Sequence, residues 1–184
     1  MKRDTLDAII DARRKGIPCA LVRDLKGGAE ALVFSDKAAG ELSLDPTVRA
    51  AVLNAVADDK SGRLDEPNTH LFVQVFNAPM RLIVIGAVHI AQALAPMAAL
   101  SGYGVTVVDP RRAFATDQRF PGVTLLQDWP DDGLEALKPD RRTAVVTLTH
   151  DPKLDDAALS VALKRACFYI GSLGSKKTHA ARLG

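Results

Sequence analysis

From Leu82 onward, short apolar runs alternate with helix-forming stretches, and the connections between them are brief. Leu82–Ile85 is uninterrupted apolar sequence of strand length, the pattern of a strand buried on both faces of a parallel sheet. Ile90–Leu100 reads as a helix, Gly104–Val108 and Val123–Leu126 as strands, and Asp132–Leu137 as a short helix. Thr143–Leu148 then reads as a strand, Leu154–Lys164 as a helix and Cys167–Ile170 as a strand. Strict alternation with short loops predicts an α/β fold, a doubly wound parallel sheet with right-handed crossovers.

Ahead of Pro79 the pattern differs. Residues 5–15 place Leu6, Ile9 and Ile10 on one face of a helix that ends before Gly16. Pro18–Leu25 and Ala29–Phe34 flank Gly27-Gly28, a hairpin signal. A second helix follows Pro46, with Val48, Val52, Leu53 and Val56 at helical spacing. Asp58–Asn68 is rich in charge, Gly and Pro and reads as a loop, and His70–Phe76 alternates as a strand does. Asn77-Ala78-Pro79 breaks the pattern. We expect a small α+β N-terminal domain over 1–77 and a Rossmann-like C-terminal domain over 78–184.

Composition narrows the partners. A formal net charge of +2 creates no strong field toward nucleic acid or membrane. The two cysteines, Cys19 and Cys167, form no CxxC pair, so neither a disulfide framework nor a zinc site is indicated. Both read as small buried hydrophobes, with a thiol ligand or sulfur carrier as the alternative for Cys19. The four histidines lack metal spacing, so no metal site is expected. The amino terminus turns acidic at once, unlike a signal peptide. The longest apolar stretch is far below the roughly 20 residues of a membrane span. The expectation is a soluble, cytoplasmic protein.

Ligands of open parallel sheets bind beyond the carboxyl ends of the strands, so the turns there are the candidate site. Gly86-Ala87-Val88-His89-Ile90-Ala91 has the spacing of G-x-G-x-x-G/A, directly after a strand and opening a helix. Helix-start amides there favour a phosphate. Val88 replaces the middle glycine, where a β-branched side chain obstructs a pyrophosphate, and the alternative is a scaffold whose cofactor site has decayed. Asp109-Pro110-Arg111-Arg112 puts an acid about 20 residues on, where a ribose diol is held, with arginines for a phosphate. The alternative is a helix cap beside a solvated basic pair.

Thr149-His150-Asp151-Pro152 closes the Thr143–Leu148 strand with a histidine between a hydroxyl and a carboxylate, the parts of an orienting or acid–base group. The alternative has Asp151 capping the next helix and His150 merely packing. Gly171-Ser172-Leu173-Gly174-Ser175-Lys176-Lys177, followed by Thr178-His179 and Arg182, offers small residues and positive charge for an anion nest, against a plain glycine turn with solvated lysines. No nucleophile elbow is present and no catalytic residue is assigned.

These turns resemble the XdhC/CoxI family of accessory factors for xanthine dehydrogenase and related molybdenum hydroxylases. The resemblance rests on FVQVFNAPMRLIVIGAVHIAQALAPMA, GYGVTVVDPRRAFATDQRFPG, TLTHDPKLDD and FYIGSLGSKKTHAARLG, in that order, and covers about residues 71–184. It implies a cytoplasmic protein that binds the molybdenum cofactor (molybdopterin) as cargo and serves an apo molybdenum hydroxylase, rather than a catalyst of its own. It also implies a homodimer and contact with a cysteine desulfurase. The cofactor-binding set on this reading is Gly86, Ala87, Val88, His89, Asp109, Arg111, Thr149, His150, Asp151, Gly171, Gly174, Ser175, Lys176 and Lys177. His89 and His150 orient the ligand, while Lys176, Lys177 and Arg182 neutralise its charge. Members continue with further helical sequence, so the chain reads as a short or truncated one. The competing classes are an NAD(P)-dependent oxidoreductase and a non-catalytic nucleotide-binding module.

Overall fold

Val22 and Val73 face each other across two strands with almost no exposure, and that pairing sets the register of the N-terminal sheet. β1 (Cys19–Asp24) lies antiparallel to both β2 (Glu30–Val33) and β5 (Leu71–Phe76). The computed structural model describes residues 2–175, 180 and 182. It divides into two compact units, Met1–Ala78 and Pro79–Gly184.

In the first unit, β3 (Ala38–Gly40) and β4 (Gly62–Arg63) complete a five-stranded sheet in the order β3-β2-β1-β5-β4. α2 (Pro46–Ala57) packs Val48 and Val52 on one face, against Ala20, Val22, Val33 and Val73. α1 (Arg3–Arg14) sends Ile9 and Ala12 to the other face, against Cys19, Leu21 and Leu32. α2 starts where it does because the Asp45 side chain accepts from Thr47 N at 2.8 Å and Val48 N at 2.9 Å, with Pro46 preset at the first position. The stretch expected as a plain loop holds β4, whose Gly62 and Arg63 pair with Val73 and Phe72. So short an edge strand carries no alternating pattern to betray it.

The second unit is the expected doubly wound α/β fold. β6 (Arg81–Ile85), β7 (Gly104–Val108), β8 (Thr124–Leu126), β9 (Thr143–Thr147) and β10 (Tyr169–Ser172) form one sheet in the order β10-β9-β6-β7-β8, and all four pairings are parallel. α3 (His89–Leu100) presses Ala91, Ala95 and Ala98 onto one face, beside Leu82, Val84, Val105 and Val107. α4 (Pro130–Leu137) and α5 (Pro152–Ala162) cover the other face, where Leu134, Ala158 and Val161 meet Ile83, Ile85 and Val145. Successive side chains of β6 therefore enter opposite cores, which is why its sequence is apolar from Leu82 to Ile85. β10 begins two residues later than expected, since its ladder to β9 opens with Tyr169 opposite Ala144. Gly171 consequently sits inside the strand rather than in the turn after it.

Candidate ligand site at the carboxyl edge of the parallel sheet

The ends of β6, β7, β9 and β10 bring together the four turns singled out in the sequence. At the first, Gly86 adopts φ +105° and its N–H donates to Val108 O at 2.9 Å. Ala87 is fully buried, and its N–H donates to Asp109 Oδ2 at 2.7 Å. Val88 caps α3 in an extended conformation and packs half-buried against the core rather than standing free over the turn. His89 and Ile90 are exposed on the first turn of α3. Among the described residues, the amides of His89, Ile90 and Ala91 have no hydrogen-bond partner, as expected at a helix start without a side-chain cap.

Asp109, at the second turn, has no exposed surface. Its Oδ1 accepts from Arg111 N and Arg111 Nε, each at 2.9 Å. Its Oδ2 accepts from Arg111 Nη2 and from Ala87 N, each at 2.7 Å. Burial acts to raise the carboxyl pKa, but the Arg111 and backbone bonds outweigh it and hold the group below the ordinary carboxylate range. The same partnership raises the Arg111 guanidinium, and the Asp151 and Asp155 charges add to it. Arg111 also lies over the Phe114 ring at 4.6 Å from its centre, and Arg112 is exposed.

The third turn is organised by a residue that sequence reasoning missed. Asp155 is fully buried in the first turn of α5. Its Oδ1 accepts from Thr149 Oγ1 at 2.7 Å and Thr149 N at 3.2 Å, and its Oδ2 from His150 N at 3.0 Å. Those bonds hold His150 at φ +62° with the residue exposed. Asp151 caps α5 by accepting from Lys153 N at 3.0 Å. Nothing in Leu154-Asp155-Asp156 tells the buried acid from its exposed neighbour, because either one suits the positive end of a helix.

At the fourth turn Ser172 Oγ bonds Thr147 Oγ1 at 2.8 Å and accepts from Arg182 Nη1 at 2.7 Å. Arg182 also donates to Asp156 Oδ1 at 2.7 Å and stands 3.7 Å from Asp155 Oδ2, so its charge is engaged by protein acids. Gly174 is half-buried and Ser175 exposed, whereas Lys176, Lys177, Thr178 and His179 lie outside the described residues. The first unit holds a separate cleft of about 530 Å³ between α2 and the 58–68 loop. Its lining mixes Lys60 and Arg63 with Asp58, Asp65 and Glu66, and so selects no one sign of ligand.

Two buried acids thus tie down the turns from beneath. What faces outward is the first turn of α3, the free edge of the Arg111 guanidinium, and His89 and His150. That donor set suits anionic oxygens and a polar heterocycle.

Strand order, crossovers and a glycine turn running into α3 define the second unit as a Rossmann domain. The model of the XdhC Rossmann domain matches residues 82–184, more than half of the chain, and the chain belongs to that family. It is 32% identical over 111 residues to a probable xanthine dehydrogenase subunit of Bacillus subtilis (strain 168), covering 60% of this chain and 34% of that protein. It is also 32% identical over 116 residues to the molybdenum cofactor insertion chaperone PaoD of Escherichia coli (strain K12), covering 63% of this chain and 30% of that one. The chain therefore spans about a third of the length of these relatives. A crystal structure of a xanthine dehydrogenase from Bacillus halodurans superposes with a TM-score of 0.76 at 23% identity, over 97% of this chain and 55% of that one. At that identity the likeness establishes the fold.

Proposed function

We propose that the chain is an accessory protein that binds the molybdenum cofactor as cargo and helps deliver it to an apo-hydroxylase of the xanthine dehydrogenase type. The observation that carries the reading is family membership joined to the makeup of the rim. The family match spans all four turns, and relatives include proteins named for xanthine dehydrogenase and for cofactor insertion. The rim offers donors for a phosphate and for a polar pterin, which are the recognisable ends of that cargo. Of the expected set, Gly86, Ala87 and Val88 shape the first turn, while His89, Arg111 and His150 present side chains toward the ligand. Thr149, Asp151 and Asp109 act through the turns that they hold. Gly171, Gly174 and Ser175 belong to the far side of the site, and Lys176 and Lys177, outside the described residues, are assigned to the cargo by sequence position alone.

Homodimerisation, a cysteine desulfurase as sulfur donor and a cytoplasmic setting belong to the same proposal. Among the described residues no helix is long and apolar enough to cross a membrane. Thermal unfolding of the purified protein with isolated molybdenum cofactor, NAD, NADP and a cytidine dinucleotide, each titrated alone, tests the reading. A ligand at about one hundred times its dissociation constant stabilises by roughly 2.7 kcal/mol. The expected result is a shift with the molybdenum cofactor, without turnover. A shift with NAD alone, accompanied by its reduction in the presence of a substrate, replaces the reading with an oxidoreductase.

A further inference from the structure

We infer that Arg111, clamped by Asp109, recognises a phosphate on the bound ligand, and that this rim does not read a ribose diol. The inference deepens the proposed function and rests on it only in placing a phosphorylated ligand at this edge.

A dinucleotide site of this fold usually grips the ribose with an open acid at the end of the second strand. Such an acid needs spare acceptor capacity. A carboxylate has about four lone-pair positions, two on each oxygen. Asp109 accepts from four donors, Arg111 N, Nε and Nη2 and Ala87 N, and none of its surface is exposed. Every acceptor position is taken, so a diol finds nothing there to donate to.

The same pairing changes the sign of what the turn welcomes. An unpaired acid repels a phosphate, whereas one carrying a guanidinium at 2.7 Å does not. Arg111 gives Nε and one Nη2 hydrogen to Asp109; of about five N–H donors on a guanidinium, three remain. Among the described residues Nη1 has no hydrogen-bond partner, and the side chain is 37% exposed. The Phe114 ring beneath it and the Asp109 fork fix its plane, so little side-chain freedom is lost when a phosphate binds. The bond from Ala87 N places the clamped pair directly against the Gly86 turn.

Calorimetric titration with AMP, 2′-deoxy-AMP and adenosine 2′,5′-bisphosphate tests this on the whole chain. The expected order is AMP equal to 2′-deoxy-AMP within about twofold, and the bisphosphate tighter than AMP by about tenfold or more. Arg111→Met removes the clamp and exposes the acid. The bisphosphate preference then vanishes and AMP gains over its deoxy analogue, an inversion that loss of structure alone does not produce. Arg111→Lys keeps the charge without the fork and covers the case in which the methionine variant unfolds; it retains only part of the bisphosphate preference. A clear preference of the native protein for AMP over 2′-deoxy-AMP, an unchanged bisphosphate preference in both variants, or no binding of any of the three overturns the inference. Parallel titration with isolated molybdenum cofactor separates the two readings. Nucleotides behaving as expected while that cofactor fails to bind leaves Arg111 in its role and removes the cargo assignment. Cofactor binding that is equal in native and variant proteins does the reverse.

Discussion

A β-carbon on Gly86 would come within 2.5 Å of Thr149 Cγ2. The turns after β6 and β9 thus interlock, a methyl group of one filling the space that a bare α-carbon leaves in the other. Gly86 also holds φ +105°, a conformation that side chains disfavour.

Gly86→Ala is therefore expected to destabilise the protein by about 3 kcal/mol, strain and overlap combined. Thr149→Ser removes the offending methyl and restores about 1 kcal/mol in the double variant. Urea unfolding of the four proteins of this cycle measures the coupling. Additive effects would show that the contact is not what excludes a side chain.

Asp155→Ala leaves the amides of Thr149 and His150 without their acceptor. The cost is about 1–3 kcal/mol, because these part-buried donors lose a charged acceptor. Asp155→Asn, with one carbonyl oxygen kept, loses less. Hydrogen exchange at the His150 amide should quicken in both, and unchanged protection would remove Asp155 from the role of organiser.

Asp109 makes the protein acid-sensitive. Its folded pKa lies below the ordinary 3.8, so its contribution is present in full above that value and is lost as pH falls through the folded one. Asp140, lowered in the same direction by Thr143, Arg142 and Arg81 against the cost of burial, behaves alike. Stability measured from pH 5 downward should fall less steeply in Asp109→Asn than in the native protein, although the variant is weaker at neutral pH. Parallel curves would mean that Asp109 titrates alike in folded and unfolded chains.

Gly133 sits inside α4, where alanine normally adds about 1 kcal/mol of helix stability. Here a β-carbon would meet Val108 Cγ1 at 2.9 Å and Leu126 Cδ2 at 3.2 Å. Overpacking of that kind costs about 1–3 kcal/mol, so Gly133→Ala is expected to lower the melting temperature. A rise would mean that α4 shifts outward without penalty.

Much of this was open to a reader of the chain, because the fold writes itself in runs of apolar residues. β6 is buried on both faces and so has no polar residue between Leu82 and Ile85, and Gly27-Gly28 sits where the first hairpin turns. The edges were hidden. β3 and β4 are too short to show a period, and β10 starts at Tyr169 because its partner strand, not its own apolarity, sets the ladder. At the site, spacing located Gly86, Asp109 and His150, yet the direction of each polar group depends on a partner distant in sequence. Asp109 is turned inward by Ala87, 22 residues earlier, and Thr147 reaches Ser172, 25 residues on. Asp155 looked like any solvated acid near a helix start.

Buried carboxylates under two turns have a thermodynamic consequence. Asp109 and Asp155 supply from within the counter-charges and acceptors that many loops acquire only when a ligand arrives. Those two turns are set by the protein's own bonds, so little of the binding free energy of a ligand there goes into ordering them. Departure, by the same token, leaves nothing to collapse. Loading and unloading of a ligand at those turns then become nearly symmetric events.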